Sequence, residues 1–257
     1  MPYKDLRQFI KRLEEEGELV RVKTEVDPAY EIGAILKKLS DRGGGPALIF
    51  ENVKGHEVPL LCNLWGTTKR YAMCLETSPD KLPDTWMSRI DGGPIAPVVV
   101  QSAPCKENIL LGDQVDLDKF PFPVWNEKDG GRYLTTHLII SKDPHTGIRH
   151  VATYRMMVQD KRTTGVNLPP FRHLVRHRNM YREMGKPIPI AVVIGAHPLA
   201  HMTAVTAFPY GVDELAMAGA LQGEPLEVVK CETVDLEVPA TAEIVLEGEI
   251  PIDGKLP

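Results

Sequence analysis

Four side chains in this sequence of 257 residues have the chemistry to share one site: His150, Arg155, His173 and Glu214. Imidazoles and carboxylates ligate divalent metal ions. A guanidinium stays charged at any working pH and grips a carboxylate through paired hydrogen bonds. Glu214 opens a predicted helix, where a carboxylate meets the partial positive charge of the helix end and is favoured in its ionised form. The plainer role for such a residue is to stabilise that helix, and the plainer role for Arg155 is a surface ion pair. His150 and Arg155 bracket the stretch His-Val-Ala-Thr-Tyr-Arg. On a regular strand that spacing turns their side chains to opposite faces, so a shared site demands a bulge or bend between them.

The elements that must position these residues follow from local signals. Around Glu214, Asp213 is a helix cap and Gly223 stands just past the end of the helix. Strands are predicted next over Leu226–Cys231 and Ile244–Leu246, separated by Pro239 in a turn. Upstream, Thr135–Ser141 and Val151–Val158 read as strands joined by the hairpin turn Asp143-Pro144-His145-Thr146-Gly147, and Ile190–Gly195 as a buried strand. The basic run Arg172–Arg182 reads as the solvated face of a helix carrying Leu174, Val175 and Met180.

The beginning of the chain has a different texture. Asp5–Glu16 is an amphipathic helix ended by Gly17, and Leu19–Val22 a short strand. Asp27-Pro28 starts a second helix, stopped by Gly43–Gly45. Ala47–Phe50 and Val58–Cys62 read as strands and Lys81–Ile90 as a helix. This alternation predicts a small α/β domain over residues 1–105, ending in the Pro/Gly-rich passage Gly92–Pro104. Residues 106–257 form a second region dominated by antiparallel sheet.

Composition narrows the classes of function. The chain is 43% apolar and 25% charged with a net charge of −5, a mean hydropathy of −0.17 and an isoelectric point near 5.9. That balance argues against a nucleic-acid surface. No apolar run approaches the roughly 18 residues a membrane span needs, and the charged N-terminus does not read as a signal peptide. Cys62, Cys74, Cys105 and Cys231 are scattered, which fits a reducing, cytoplasmic setting rather than structural zinc or disulfides. His137 reads as a core histidine, and His177, His197 and His201 as structural or surface residues. Neither a dinucleotide fingerprint nor a nucleophile elbow is present.

The consecutive segments DELAMAG, GEPLEVVKC and DLEVPATAEIVLEG, within Asp213–Gly248, closely resemble the signature of the UbiD-type decarboxylases. The resemblance covers essentially the whole chain, but only about the N-terminal half of such an enzyme. It implies a flavin-reductase-like split β-barrel after the α/β domain, with a C-terminal domain absent. The implied reaction is reversible, non-oxidative decarboxylation of a small aromatic or α,β-unsaturated carboxylic acid. The implied cofactors are prenylated FMN supplied by a flavin prenyltransferase, Mn²⁺ and K⁺, in a homo-oligomer.

The same resemblance assigns roles. His173 lies eighteen positions after Arg155, as in the family, and joins Glu214 and His150 as metal ligands, with His150 standing where the family pattern has Asn. Arg155 is the expected catalytic residue, facing cofactor and substrate carboxylate. Thr153 and Tyr154 are expected along the isoalloxazine edge, Arg172 against the cofactor, and Thr203–Thr206 at the K⁺ and phosphate. Relatives continue beyond this point with carboxylates that supply the proton, so the 257-residue chain by itself is expected to be weakly active or inactive. Two other expectations are a non-catalytic flavin-binding or partner subunit and a flavin reductase-like oxidoreductase.

Overall fold

The computed structural model describes residues 3–254. The N-terminal elements are α1 (Leu6–Glu15), β1 (Leu19–Val22), α2 (Glu31–Asp41), β2 (Ala47–Phe50), β3 (Leu60–Cys62), α3 (Thr68–Cys74) and α4 (Leu82–Asp91). Asp5 caps α1 by accepting the Gln8 N–H at 2.8 Å, and Leu6, Phe9 and Leu13 form its buried face. β2 is buried along its whole length because it is the middle strand, parallel to β1 and antiparallel to β3. The helix expected from Asp27-Pro28 starts later, at Glu31. Asp27 accepts the Ala29 N–H while Glu31 reaches back to the Asp27 N–H, so these groups close a preceding turn. Helix α3 lacks a strong sequence signal. It is anchored by the wholly buried Arg70, which donates to the carbonyls of Asn63 and Leu64 and to Glu18.

The rest of the chain supplies β4 (Val98–Val99), β5 (Tyr133–Leu134), β6 (Leu138–Lys142), β7 (Arg149–Ala152), β8 (Met156–Val158), β9 (Thr164–Val166), α5 (His173–Glu183), β10 (Ile188–Ile194), α6 (Pro198–Ala204), α7 (Glu214–Gln222), β11 (Glu227–Lys230), β12 (Glu237–Pro239) and β13 (Ile244–Ile250). Three sheets result, in the orders β13-β10-β6-β7, β5-β8-β9 and β12-β11-β4. None of them closes into a barrel among the described residues. The Asp143–Gly147 turn joins β6 to β7, with the Asp143 N–H donating to the Ile148 carbonyl at 2.9 Å. Two local expectations are corrected. The single strand Val151–Val158 is two strands in different sheets, and Pro239 lies in β12 opposite Val228 rather than in a turn. Proline is tolerated there because β12 is an edge strand.

The four-stranded sheet is covered on both faces, as its alternation dictates. Leu138 and Ile140 of β6, with Ala191 and Val193 of β10, point into a core shared with Phe9, Ile49, Leu199 and Leu215. Ile139, Ile190 and Val192 point the other way, to Tyr154, Leu174 and Met156. The first core thus joins residues from both sides of position 105. Burial pushes the thiols of Cys62, Cys74 and Cys231 up to about 12, which makes them inert packing groups.

Candidate metal centre

Glu214 is the first residue of α7, and its position is set by its neighbour. Asp213 caps the helix, accepting the Leu215 N–H at 2.9 Å. The same carboxylate forms an ion pair of 3.0 Å with Arg149 of β7, which also binds Glu237 of β12 at 2.7 Å. The helix start is thereby tied to the edge of the four-stranded sheet. An edge strand leaves one row of backbone groups without a strand partner. Glu214 takes one of them, its Oε2 accepting the Val151 N–H at 2.7 Å. Its Oε1 lies 2.8 Å from His150 Nδ1.

The other nitrogen of His150, Nε2, is 3.0 Å from the Tyr154 hydroxyl. That hydroxyl also accepts the N–H of Leu174, the second residue of α5, at 3.3 Å. His173, the first residue of α5, meets the His150 ring edge-on at 5.0 Å between centroids. Donor atoms of His150, His173 and Glu214 all lie within 4.8 Å of one another, and the group is largely buried. Partial burial, and then the neighbouring His150, lowers the pKa of His173 and keeps its imidazole in the neutral form that can ligate.

The bend that local geometry demanded is present. The chain leaves one sheet after Ala152 and enters another at Met156, which resets the alternation of side chains across Thr153–Arg155. The residue it brings onto His150 is Tyr154. Arg155 instead pairs with Asp129 at 2.9 Å and stacks over the Tyr133 ring at 3.9 Å, its side chain 45% exposed. Thr153 donates through its hydroxyl to the His137 carbonyl at 3.1 Å. The exposed Arg172 sits 5.1 Å above the Tyr154 ring, with its guanidinium 3.5 Å from the Thr153 carbonyl. The Thr203 and Thr206 hydroxyls donate back to carbonyls of Leu199, Ala200 and Met202.

Several contributors carry no signal in the sequence. A cavity of about 150 Å³ beside the three donors is lined by Asp143, Arg149, His150, His173, His177 and Tyr210, among others. His177 is buried, with Nδ1 2.9 Å from the Ser141 hydroxyl, and burial lowers its pKa to about 4. Burial alone would raise the Asp143 carboxyl. Hydrogen bonds from the Tyr210 hydroxyl and the N–H groups of His145 and Thr146 instead bring it down to about 2. Arg176 stacks 3.7 Å over the Tyr210 ring. Tyr210 precedes Asp213 in an irregular loop, so no periodicity marks it.

Fold and site together define a mixed α/β protein with a buried candidate metal centre of two imidazoles and one carboxylate. Residues 97–256 match the 3-octaprenyl-4-hydroxybenzoate carboxy-lyase Rift-related domain, and residues 10–90 match the N-terminal domain of the same enzymes. The chain belongs to the UbiD family.

Its fold is similar to that of the UbiD-class enzyme HmfF from Pelotomaculum thermopropionicum in complex with FMN. The TM-score is 0.89 at 37% identity, over 96% of this chain and 55% of that one. An evolved dimeric form of HmfF is in complex with prFMN. Vanillic acid decarboxylase from Sedimentibacter hydroxybenzoicus in its closed form matches with a TM-score of 0.92 at 35% identity, over 97% of this chain and 55% of that one. An uncharacterized protein of Archaeoglobus fulgidus is 38% identical over 273 residues, covering 98% of this chain and 56% of the relative. The chain thus spans about half the length of these relatives. No helix among the described residues is long and apolar enough to cross a membrane.

Proposed function

We propose that this chain provides the cofactor- and metal-binding part of a UbiD-type carboxy-lyase, acting on a small aromatic or α,β-unsaturated carboxylic acid. The observation that carries the reading is the convergence of His150, His173 and Glu214 donors within 4.8 Å. Neighbouring donors on one first-row ion, each about 2.1 Å from it, lie roughly 3 Å apart. The 2.8 Å between His150 Nδ1 and Glu214 Oε1 fits such an ion, expected as Mn²⁺. FMN in HmfF and prFMN in its evolved form support a flavin cofactor, here prenylated FMN from a flavin prenyltransferase. When bound, that cofactor supplies an electron sink for the carbanion left when CO₂ departs.

The chain's own residues then have distinct tasks. His150, His173 and Glu214 hold the ion. Thr153 and Tyr154 line the flavin edge, and Arg172 adds a positive charge beside it. Arg155 orients the substrate carboxylate by a bidentate grip, for which it exchanges its ion pair with Asp129. A K⁺ ion near Thr203–Thr206, assembly as a homo-oligomer and a cytoplasmic location complete the reading. So does a two-part organisation, with residues 1–105 preceding a split-barrel-like region over 106–257.

The test is co-expression with a flavin prenyltransferase, followed by Mn²⁺ addition, a visible spectrum and metal analysis. The expected result is one flavin with one Mn²⁺ per chain, both lost in Glu214→Gln and in His173→Ala. Protein that stays free of flavin and metal under these conditions would sink the proposal.

A further inference from the structure

We infer that Tyr154 presents Nδ1 of His150 to the ion, and that His150 biases the centre toward late first-row ions such as Co²⁺ over Mn²⁺. The inference rests on the metal-centre reading above. An ionised carboxylate only accepts hydrogen bonds, so with no ion present the proton between His150 and Glu214 sits on Nδ1. Nε2 lies 3.0 Å from the Tyr154 hydroxyl, which can donate to a bare nitrogen or accept from a protonated one.

An ion that binds the Nδ1 lone pair requires the ring proton to sit on Nε2. Tyr154 must then accept from Nε2–H. A hydroxyl can do so, having one proton and two lone pairs, of which one is engaged by the Leu174 N–H at 3.3 Å. Turning the ring to offer Nε2 instead would break the Tyr154 contact. Tyr154 is only 3% exposed and belongs to the same buried cluster as Leu174 and Met156, so the phenol holds the ring with Nδ1 toward Glu214. Because Leu174 adjoins His173, the same oxygen also couples the two ligand-bearing elements. Tyr154 is therefore a positioning residue.

Selectivity follows from the donor atoms. Imidazole nitrogen suits Fe, Ni, Cu and Zn, with Co²⁺ among them in the Irving–Williams order above Mn²⁺, whereas carboxylate, carbonyl and water oxygen suit Mg, Ca and Mn. Two imidazoles and one carboxylate place this centre toward the first group, while Mn²⁺ occupies it when that is the ion supplied. Replacing His150 by Asn exchanges a nitrogen donor for an oxygen donor and should move the balance back.

The test uses the metal-free chain, with Co²⁺ followed by visible absorption and Mn²⁺ by the electron paramagnetic resonance of the free ion. In His150→Asn the preference for Co²⁺ over Mn²⁺ should shrink by about tenfold or more. In Tyr154→Phe both ions should bind about 10- to 100-fold more weakly with the preference unchanged. Ser141→Ala removes the neighbouring His177 contact and should bind like the parent. Thermal unfolding of each variant separates lost affinity from lost folding, and if Tyr154→Phe does not fold, His150→Asn alone decides. An unmoved Co²⁺/Mn²⁺ preference in His150→Asn, or parental affinity in a folded Tyr154→Phe, overturns the inference. Parental affinity in Glu214→Gln and His173→Ala would instead overturn the metal-centre reading beneath it.

Discussion

His150 Nδ1 and Glu214 Oε1 lie 2.8 Å apart although 64 residues separate them in the chain. The contact joins an edge strand to the first turn of a helix, and the second oxygen of Glu214 closes on the backbone of the same strand. A buried carboxylate with both oxygens engaged is a structural keystone as well as a candidate ligand. Glu214→Gln replaces two hydrogen bonds to a charged carboxylate by neutral ones, and keeps both only if the His150 ring proton moves to Nε2. The expected loss is about 1–3 kcal/mol, read as a lower urea midpoint at unchanged slope.

Arg149 separates useful ion pairs from ornamental ones. Its guanidinium is 13% exposed and bridges Asp213 and Glu237, which are 20% and 14% exposed. Arg149→Met leaves the half-buried Asp213 carboxylate without its cation, while Glu237 keeps Lys142 at 2.9 Å, and should cost about 3 kcal/mol. Lys37 and Asp41, 72% and 59% exposed, make a pair four residues apart on α2. Lys37→Ala should therefore cost less than about 0.5 kcal/mol. Comparable losses in the two variants, measured by chemical denaturation, would contradict this ordering.

Gly219 lies inside α7, where alanine would normally gain about 1 kcal/mol in helix propensity. A Cβ there would stand 2.6 Å from the Ile95 carbonyl oxygen and 3.2 Å from the Ile95 side chain. The clash involves backbone, so α7 must move away from the Ile95 segment. Gly219→Ala should lower stability by about 1–3 kcal/mol net. Because Glu214 starts the same helix, metal affinity should weaken as well. A stabilised variant would mean that the helix packs less closely than described.

Acid should destabilise the protein through its buried histidines. Burial lowers His137 and His197 from the ordinary 6.5 to about 4. Between those values the unfolded chain binds protons that the folded chain refuses. Stability is therefore complete above pH 6.5 and falls as the pH drops toward 4. Each histidine contributes up to about 1.4 kcal/mol per pH unit. His197 also caps α6 by accepting the Leu199 N–H. His197→Asn keeps a capping oxygen but cannot titrate, so its urea midpoint should depend less on pH across this window. An unchanged slope would show that His197 is not one of the groups responsible.

What the sequence determined by itself was local. Asp5 and Asp213 cap the helices they precede, Gly223 ends α7 with a φ of 84°, and the Asp143–Gly147 turn sets a hairpin. Each rests on backbone chemistry within a few residues. The residue types of the candidate centre were legible too, since imidazole and carboxylate carry their chemistry wherever they sit. Only the tertiary structure decided what they meet. Val151–Val158 has the composition of one strand, yet neighbours in two different sheets compete for its backbone and break it at Thr153–Arg155. That break turns Tyr154 onto His150 and gives Arg155 to Asp129 and Tyr133. His177, read as structural or surface, is buried because α5 is covered where the sequence shows only a basic run. Contacts across dozens of residues leave no periodicity to read; they depend on how sheets and helices pack once the chain has collapsed.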